Sequence, residues 1–311
     1  MKEKIIDQSI IKKKYLKFIK SQEVPGEPFL NKVQQLEKFY LPISKFLHKN
    51  FIKSKGTIII GLSGGQGSGK STISKIMKII LKEKYNLNTV IFSIDDFYKT
   101  LDEREKMSKK ISQLFLTRGV PGTHDTKILL NVLKKLKSVK FRKISVPKFD
   151  KSNDNRCKKK DWLKIKSKPD IVIFEGWCVG AKAEKNNTLK TPINSLEKLN
   201  DKKLIWRRFV NKQLKSKYKQ LYDQLNCLLF IKSKNFSLLR QWRMKQEKKL
   251  RLRSKRFSNH KIMSDKEIVN FMQTYQRVTQ NMLKNVPKYA SIILNLNSNH
   301  QIKSVVYNKL K

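Results

Sequence analysis

Gly61-Leu62-Ser63-Gly64-Gly65-Gln66-Gly67-Ser68-Gly69-Lys70-Ser71-Thr72 stands between two runs of opposite character. Before it comes the β-branched run Thr57-Ile58-Ile59-Ile60. After it, the apolar residues of Ile73 to Leu81 recur at helical spacing. That order predicts a strand, a glycine-rich turn and a helix. Gly64 to Ser71 fits G-x-x-x-x-G-K-[ST], the phosphate-binding loop.

A polyphosphate needs several backbone N–H donors converging on it, and glycines let the chain turn tightly and approach without a Cβ clash. The helix opening near Gly69 points its positive end at the anion. Residues Gly64, Gly65, Gln66, Gly67, Ser68, Gly69, Lys70, Ser71 and Thr72 are therefore the expected nucleotide-binding set. Lys70 can reach the β- and γ-phosphates, and the Ser71 hydroxyl can ligate Mg²⁺. The alternative is a glycine-rich turn that binds nothing; the flanking strand and helix favour the nucleotide site.

With 311 residues, 39% hydrophobic and 31% charged, the chain can bury a large core. No apolar run approaches the ~18 residues that would span a bilayer, so no membrane partner is expected. Met1-Lys2-Glu3-Lys4 has no long apolar stretch behind it, which argues against a secretory signal, and the acidic Glu3 and Asp7 argue against a transit peptide. Cys157, Cys178 and Cys227 are widely spaced, with neither metal nor disulfide patterning, as expected of a cytoplasmic protein.

The net charge of +47, from 71 Lys and Arg against 24 Asp and Glu, is extreme. It raises the reading of a nucleic-acid binder. The excess is mostly lysine and runs end to end, whereas a phosphate-backbone footprint would be clustered and richer in arginine. A solvated lysine-rich surface is the expectation, with no specific nucleic acid and only salt-sensitive stickiness to polyanions.

Residues 1–55 read as a helical extension and 56–311 as the nucleotide-binding domain. The extension is broken at Val24-Pro25-Gly26-Glu27-Pro28 and interrupted near Pro42. Thr89 to Ile94 is a second strand, ending in Asp95-Asp96-Phe97-Tyr98. Carboxylates at a strand's C-terminal end beside a phosphate loop sit where open α/β sheets bind ligands. A helix is expected over Arg104 to Leu116, then the turn Arg118-Gly119-Val120-Pro121-Gly122-Thr123-His124-Asp125 and a helix from Thr126. On these residues alone Asp125 reads as an N-cap and His124 as a surface residue. Ile144 to Lys151 reads as a strand entering a polar loop. Ile171-Val172-Ile173-Phe174-Glu175 is a third buried strand ending in an acid, the place of a Mg²⁺-oriented carboxylate. Further expectations are a helix over Arg207 to Leu225, strands at Cys227 to Ile231 and Ala290 to Leu294, and a capping box at Ser264 to Glu267. Between them Phe236 to Arg256 is a basic helix with Arg240 and Arg243 one turn apart. The tail from Asn297 carries no motif.

The phosphate loop, Ser93-Ile94-Asp95-Asp96-Phe97-Tyr98, Arg118 to Asp125, Pro147-Lys148-Phe149-Asp150-Lys151-Ser152 and Phe174-Glu175-Gly176-Trp177 together resemble the plant-type D-glycerate 3-kinases. Those belong to the phosphoribulokinase, uridine kinase and pantothenate kinase group. Pro192 to Glu197, Trp242 to Glu247 and Met263-Ser264-Asp265 resemble the bacterial members. The resemblance covers about residues 30 to 296 in order; the lysine loading and the basic segment before residue 25 depart from it.

The resemblance implies an α/β fold, the P-loop NTPase three-layer αβα sandwich, with a mostly parallel sheet and a mobile helical lid. It implies ATP and Mg²⁺, and transfer of phosphate to D-glycerate to give 3-phosphoglycerate. Asp95 matches the group's catalytic base and Glu175 its metal-associated acid, with Ser71 as the other metal ligand. Lys70, Arg240 and Arg243 would act on the transferring phosphoryl group. Asp96, Tyr98, Arg118, His124, Asp125, Lys148 and Asp150 fall on the substrate side, with Arg118 or Lys148 as the cation for a substrate carboxylate. Two other readings stay open: the same chemistry on a nucleoside or pantothenate-like alcohol, and a non-catalytic nucleotide-dependent nucleic-acid or partner binder.

Overall fold

Strands covered on both faces have to be apolar along their whole length. Ile58–Gly64 and Ile171–Gly176 are buried at every residue and apolar but for Ser63 and Glu175, which lie near their C-terminal ends. A computed structural model describes residues 8–23, 28–254 and 263–308. In chain order, α1 (Gln8–Gln22), α2 (Lys32–Gln35), a π-helical turn (Leu36–Tyr40) and α3 (Leu41–Ser54) lead into β1 (Ile58–Gly64), α4 (Lys70–Tyr85) and β2 (Thr89–Ser93). A 3₁₀ turn (Ile94–Phe97), α5 (Leu101–Lys110) and α6 (Thr126–Lys137) follow. Then come the short strands β3 (Ile144–Val146), β4 (Phe149–Asp150), β5 (Asn155–Arg156) and β6 (Leu163–Ile165), and the long β7 (Ile171–Gly176). Helices α7 (Ser195–Asn200), α8 (Ile205–Gln213) and α9 (Lys219–Tyr222) precede β8 (Cys227–Lys232). Helices α10 (Phe236–Ser254) and α11 (Asp265–Asn285), and strands β9 (Ile292–Leu296) and β10 (Ile302–Tyr307), complete the chain.

The main sheet has the order β10-β9-β8-β1-β7-β2. All neighbours are parallel except β10, which runs antiparallel to β9. Side chains alternate across it with the period of two that a strand imposes. Ile58, Ile60, Ile171, Ile173, Leu229, Ile231, Ile292 and Leu294 face a core shared with α1, α3 and α4. Ile59, Val172, Phe174, Leu228, Phe230 and Ile293 face one shared with α6, α8 and α11. The result is the expected three-layer αβα sandwich with a mostly parallel sheet. Ile11, Tyr15 and Ile19 of α1 and Ile43 and Leu47 of α3 are buried in the first of these cores.

Several local expectations are corrected. The helix placed at Arg104 to Leu116 starts at Leu101, because Thr100 and Glu103 form a capping box, and stops at Lys110. The strand expected over Ile144 to Lys151 is two separate pieces in small hairpins outside the main sheet. The helix expected from Arg207 begins at Ile205 and contains a π turn over Leu214–Tyr218. Pro42 does not break its helix, since it sits in the first turn of α3, directly after a π turn. The tail after Asn297 carries β10, an edge strand in which only Ile302 is buried and the register shifts between Ile302 and Ser304, so no alternation marks it. The first seven residues, the break at residues 24–27 and the expected end of the basic helix at Arg256 lie outside the described residues.

One buried ion network ties the segment after β7 to α11. Arg277 donates from Nε and Nη2 to the two oxygens of Glu197, each at 2.7 Å, and Arg207 lies against Asp201 at 3.3 Å. Glu197 is 1% exposed and also accepts from Ile193 N at 3.0 Å. Removing one member strands a buried charge. Glu197→Ala is therefore expected to lose about 3–5 kcal/mol of stability, read by denaturant unfolding; a loss under about 1 kcal/mol would show that Arg277 re-pairs with Glu184 at no cost.

Candidate active site

The site forms where the parallel strands end, and the register sets its spacing. Glu175, near the end of β7, lies opposite Leu62 of β1 and Ser93 of β2. It therefore stands between the glycine-rich loop and the aspartates after β2. Both its oxygens are engaged from α4, by Ser71 Oγ at 2.7 Å and Ser74 Oγ at 3.0 Å.

The loop itself has the geometry its glycines allow. Gly67 and Gly69 have φ of 76° and 86°, a region costly for side chains. A Cβ on Gly67 would also meet the backbone of Trp242 and Arg243 at 2.9–3.0 Å. Helix α10 thus rests directly on the loop. Lys70 Nζ donates to the carbonyls of Gly64 and Gly65 at 2.8 and 3.1 Å. Burial lowers its pKa, against the pull of the Glu175 and Asp95 charges. The side-chain oxygens of Ser63 and Ser68 and the Gln66 amide are buried without a protein partner among the described residues.

Asp95 and Asp96 are separated by a cap, not by strand alternation, because β2 stops at Ser93. Ser93 caps the 3₁₀ turn, accepting from Asp95 N at 3.2 Å, while Asp96 Oδ2 accepts from Ser93 N at 3.0 Å. Asp96 is thereby turned back on the backbone. The Asp95 carboxylate is instead held by side chains: Tyr98 OH donates to Oδ1 at 2.9 Å and Lys151 Nζ donates to Oδ2 at 2.8 Å, and its charge acts on Lys70. Burial would raise the Asp95 pKa, but the Lys151 charge and these hydrogen bonds outweigh it and hold the carboxyl at about 2.

The other expected substrate-side residues divide. His124 is not a surface residue; it is 2% exposed. Its ring stacks on Tyr98 at 4.5 Å, and Nδ1 meets Tyr218 OH at 2.5 Å. Burial pushes its pKa down to about 4, so the ring is neutral at neutral pH, and Nε2 has no protein partner among the described residues. The π turn in the α8–α9 segment places Tyr218, which also accepts from Gly122 N at 2.9 Å. Asp125 is an N-cap, accepting from Ile128 N at 3.1 Å, with Arg156 at 3.4 Å. Asp150 organises its own loop, accepting from Ser152 N at 2.9 Å and Asn153 Nδ2 at 2.6 Å.

Neither cation named for a substrate carboxylate is free at Asp95. Arg118 is paired with Asp154 and lies 5.5 Å from the centre of the Phe149 ring. Lys148 is exposed and lines a cleft with Asp96, Asp161 and Leu163, without a contact to Asp95. Gly119 admits no side chain, since its φ is 140° and a Cβ would fall 2.0 Å from Tyr275 OH.

On α10, Leu239 covers Gly65 and Arg243 pairs with Glu247 at 2.5 Å, while Arg240 is exposed. Sequence reading missed four contributors. Buried Arg104 bonds the carbonyls of Lys99, Leu116 and Asp154 and so ties three loops together. His300 Nε2 lies 2.9 Å from the Gly67 carbonyl, with its ring 4.1 Å from Trp242. Tyr218 and Lys151 are the others. A histidine in an unpatterned tail gives no sequence signal; Lys151 stood in the Pro147 to Ser152 run, where no role was read for it.

A phosphate loop at the end of a parallel sheet, a serine-bound acid on the adjacent strand and a second acid one strand further define a P-loop nucleotide-binding protein of the kinase type. Residues 59–194 match the phosphoribulokinase/uridine kinase family. The uncharacterized kinase mug58 of Schizosaccharomyces pombe is 33% identical over 251 residues, covering 78% of this chain and 87% of that protein. The chloroplastic D-glycerate 3-kinase of Arabidopsis thaliana is 26% identical over 258 residues, 78% of this chain but 53% of the plant protein. A D-glycerate 3-kinase structure from Cryptococcus neoformans shares the fold, with a TM-score of 0.73 at 23% identity over 86% of this chain and 99% of that one. The chain belongs to the phosphoribulokinase/uridine kinase family of P-loop kinases. Among the described residues no helix is long and apolar enough to cross a membrane.

Proposed function

We propose that the protein transfers the γ-phosphoryl group of ATP to the 3-hydroxyl of D-glycerate, giving ADP and 3-phosphoglycerate. The observation that carries this is the line of three groups along the strand ends: Lys70 on the loop, with the Glu175 and Asp95 carboxylates near enough for their charges to act on it. The likeness to D-glycerate 3-kinases in sequence favours glycerate among possible alcohols.

Ser71 and Glu175 are hard oxygen donors side by side, which suits Mg²⁺. Among the described residues no group of three or more His, Cys, Asp or Glu could hold a metal alone. That matches an ion held by one or two protein oxygens and by phosphates. Mg²⁺ held there would neutralise charge on the phosphate oxygens. The loop N–H groups and Lys70 orient the phosphates. Asp95 accepts the hydrogen bond of the acceptor hydroxyl and takes its proton as the new O–P bond forms and the bond to the ADP oxygen breaks. Helix α10 lies on the loop with the Trp242 and Arg243 backbone against Gly67, and would close the nucleotide side with Arg240 and Arg243.

The test is coupled ADP release across hydroxy acids, nucleosides and pantothenate. Turnover with D-glycerate at least about tenfold above every other acceptor is expected. Preference for a nucleoside or pantothenate would replace the substrate. No turnover with any alcohol, despite nucleotide binding, would return the protein to the binder reading. A pure binder, however, has no use for acids at the ends of β2 and β7.

If Arg240 and Arg243 stabilise charge on the transferring group, replacing either by methionine should lower kcat by about 10²-fold or more. ADP affinity should then change little. Equal losses in turnover and ADP binding would make α10 a general nucleotide clamp.

A further inference from the structure

We infer that Lys151 is the specificity-determining cation of this site, selecting a short acceptor whose carboxylate lies at the other end of a three-carbon chain from its reacting hydroxyl. The inference rests on the glycerate reading above and names the residue and charge that would produce it.

The cations around Asp95 have partners that hold them elsewhere. Arg118 and Arg104 both reach Asp154. Arg156 bonds the Tyr98 carbonyl and Asp125. Arg243 pairs with Glu247, and Lys70 with the loop carbonyls. Lys151 differs, because its carboxylate partner is the proposed catalytic acceptor itself, at 2.8 Å.

The backbone that carries Lys151 is fixed while its side chain is not. Asp150 gathers Ser152 and Asn153 beneath it, and Phe149 pairs with Arg156 across the hairpin. The Lys151 side chain is 61% exposed on a flexible four-carbon stem. A hydroxyl bonded to Asp95 in a three-carbon acid puts the acid's carboxylate within a short swing of that ammonium. The incoming carboxylate gives Lys151 a second anion to bind, and loosening the existing ion pair restores basicity to Asp95 at the moment the alcohol arrives. A neutral acceptor offers Lys151 nothing and leaves the pair closed. Charge selection and readiness of the base are then one event.

The test compares wild type with Lys151→Met and Lys151→Arg, using D-glycerate and glycerol as acceptors. Lys151 is exposed, so both variants should fold; ADP binding checks this. Lys151→Met is expected to raise the KM for D-glycerate about ten- to hundredfold and leave that for ATP within about twofold. The preference of D-glycerate over glycerol should shrink by the same factor, and Lys151→Arg should recover most of it. If Lys151→Met loses kcat at unchanged KM for D-glycerate, Lys151 only tunes Asp95; the inference is overturned and the glycerate reading stands. If wild type ignores D-glycerate and phosphorylates a neutral alcohol, both are overturned together.

Discussion

Asp95→Asn is expected to bind ATP and keep its fold while turnover drops by about 10²–10⁴-fold, the usual worth of a positioned general base. The substitution keeps the shape of the side chain and an oxygen for the bond from Tyr98, and removes the charge, the proton-accepting capacity and the ion pair with Lys151. A carboxylate held near pH 2 is a feeble base for an alcohol. Phosphoryl transfer passes through a loose transition state in which the hydroxyl needs orientation first and deprotonation late, so a strong base is not required. The matching control is Asp96→Asn. Because Asp96 accepts from Ser93 N, its loss should affect stability more than rate. Single-turnover phosphoryl transfer with each purified variant decides the assignment. An active Asp95→Asn beside a dead Asp96→Asn would move the catalytic role by one residue, and activity in both would remove this turn from the mechanism.

Lys70→Ala should lower turnover by about 10²–10³-fold or more, the range for deleting one preorganised charge from a transferring group. It should do so without unfolding, since among the described residues the Lys70 side chain bonds to the Gly64 and Gly65 carbonyls of its own loop and to no other element. Lys70→Arg should not rescue it, because a planar fork does not occupy the place of a compact ammonium against two converging carbonyls. Turnover and ADP titration on the same preparation give the answer. Unchanged turnover in a folded Lys70→Ala would sink the phosphate-loop assignment.

What the sequence by itself determined was every feature written locally. The phosphate loop is a contiguous run whose glycines and lysine act through their own backbone. The buried strands announce themselves by unbroken apolar character, and the Ser264 box by spacing alone. The acids Asp95 and Glu175 could be placed because each follows its strand directly. Tertiary structure alone decided which side chains are free to act. Asp96, Asp125 and Asp150 were placed on the substrate side, yet their carboxylates are occupied by a turn, helix N–H groups and a loop; of these only the Asp125 cap was legible in the sequence. His124 read as exposed, yet the π-turned helix carrying Tyr218, some ninety residues away in sequence, covers it. Arg118 and Lys148 read alike as carboxylate binders, and only the fold shows Arg118 paired with Asp154 and Lys148 in a cleft with Asp96. Lys151, hidden among the lysines, emerged only because folding brings it to Asp95. The physical reason is common to all four cases: a residue's chemistry depends on its unsatisfied partners, and those partners arrive from distant segments that no local pattern encodes.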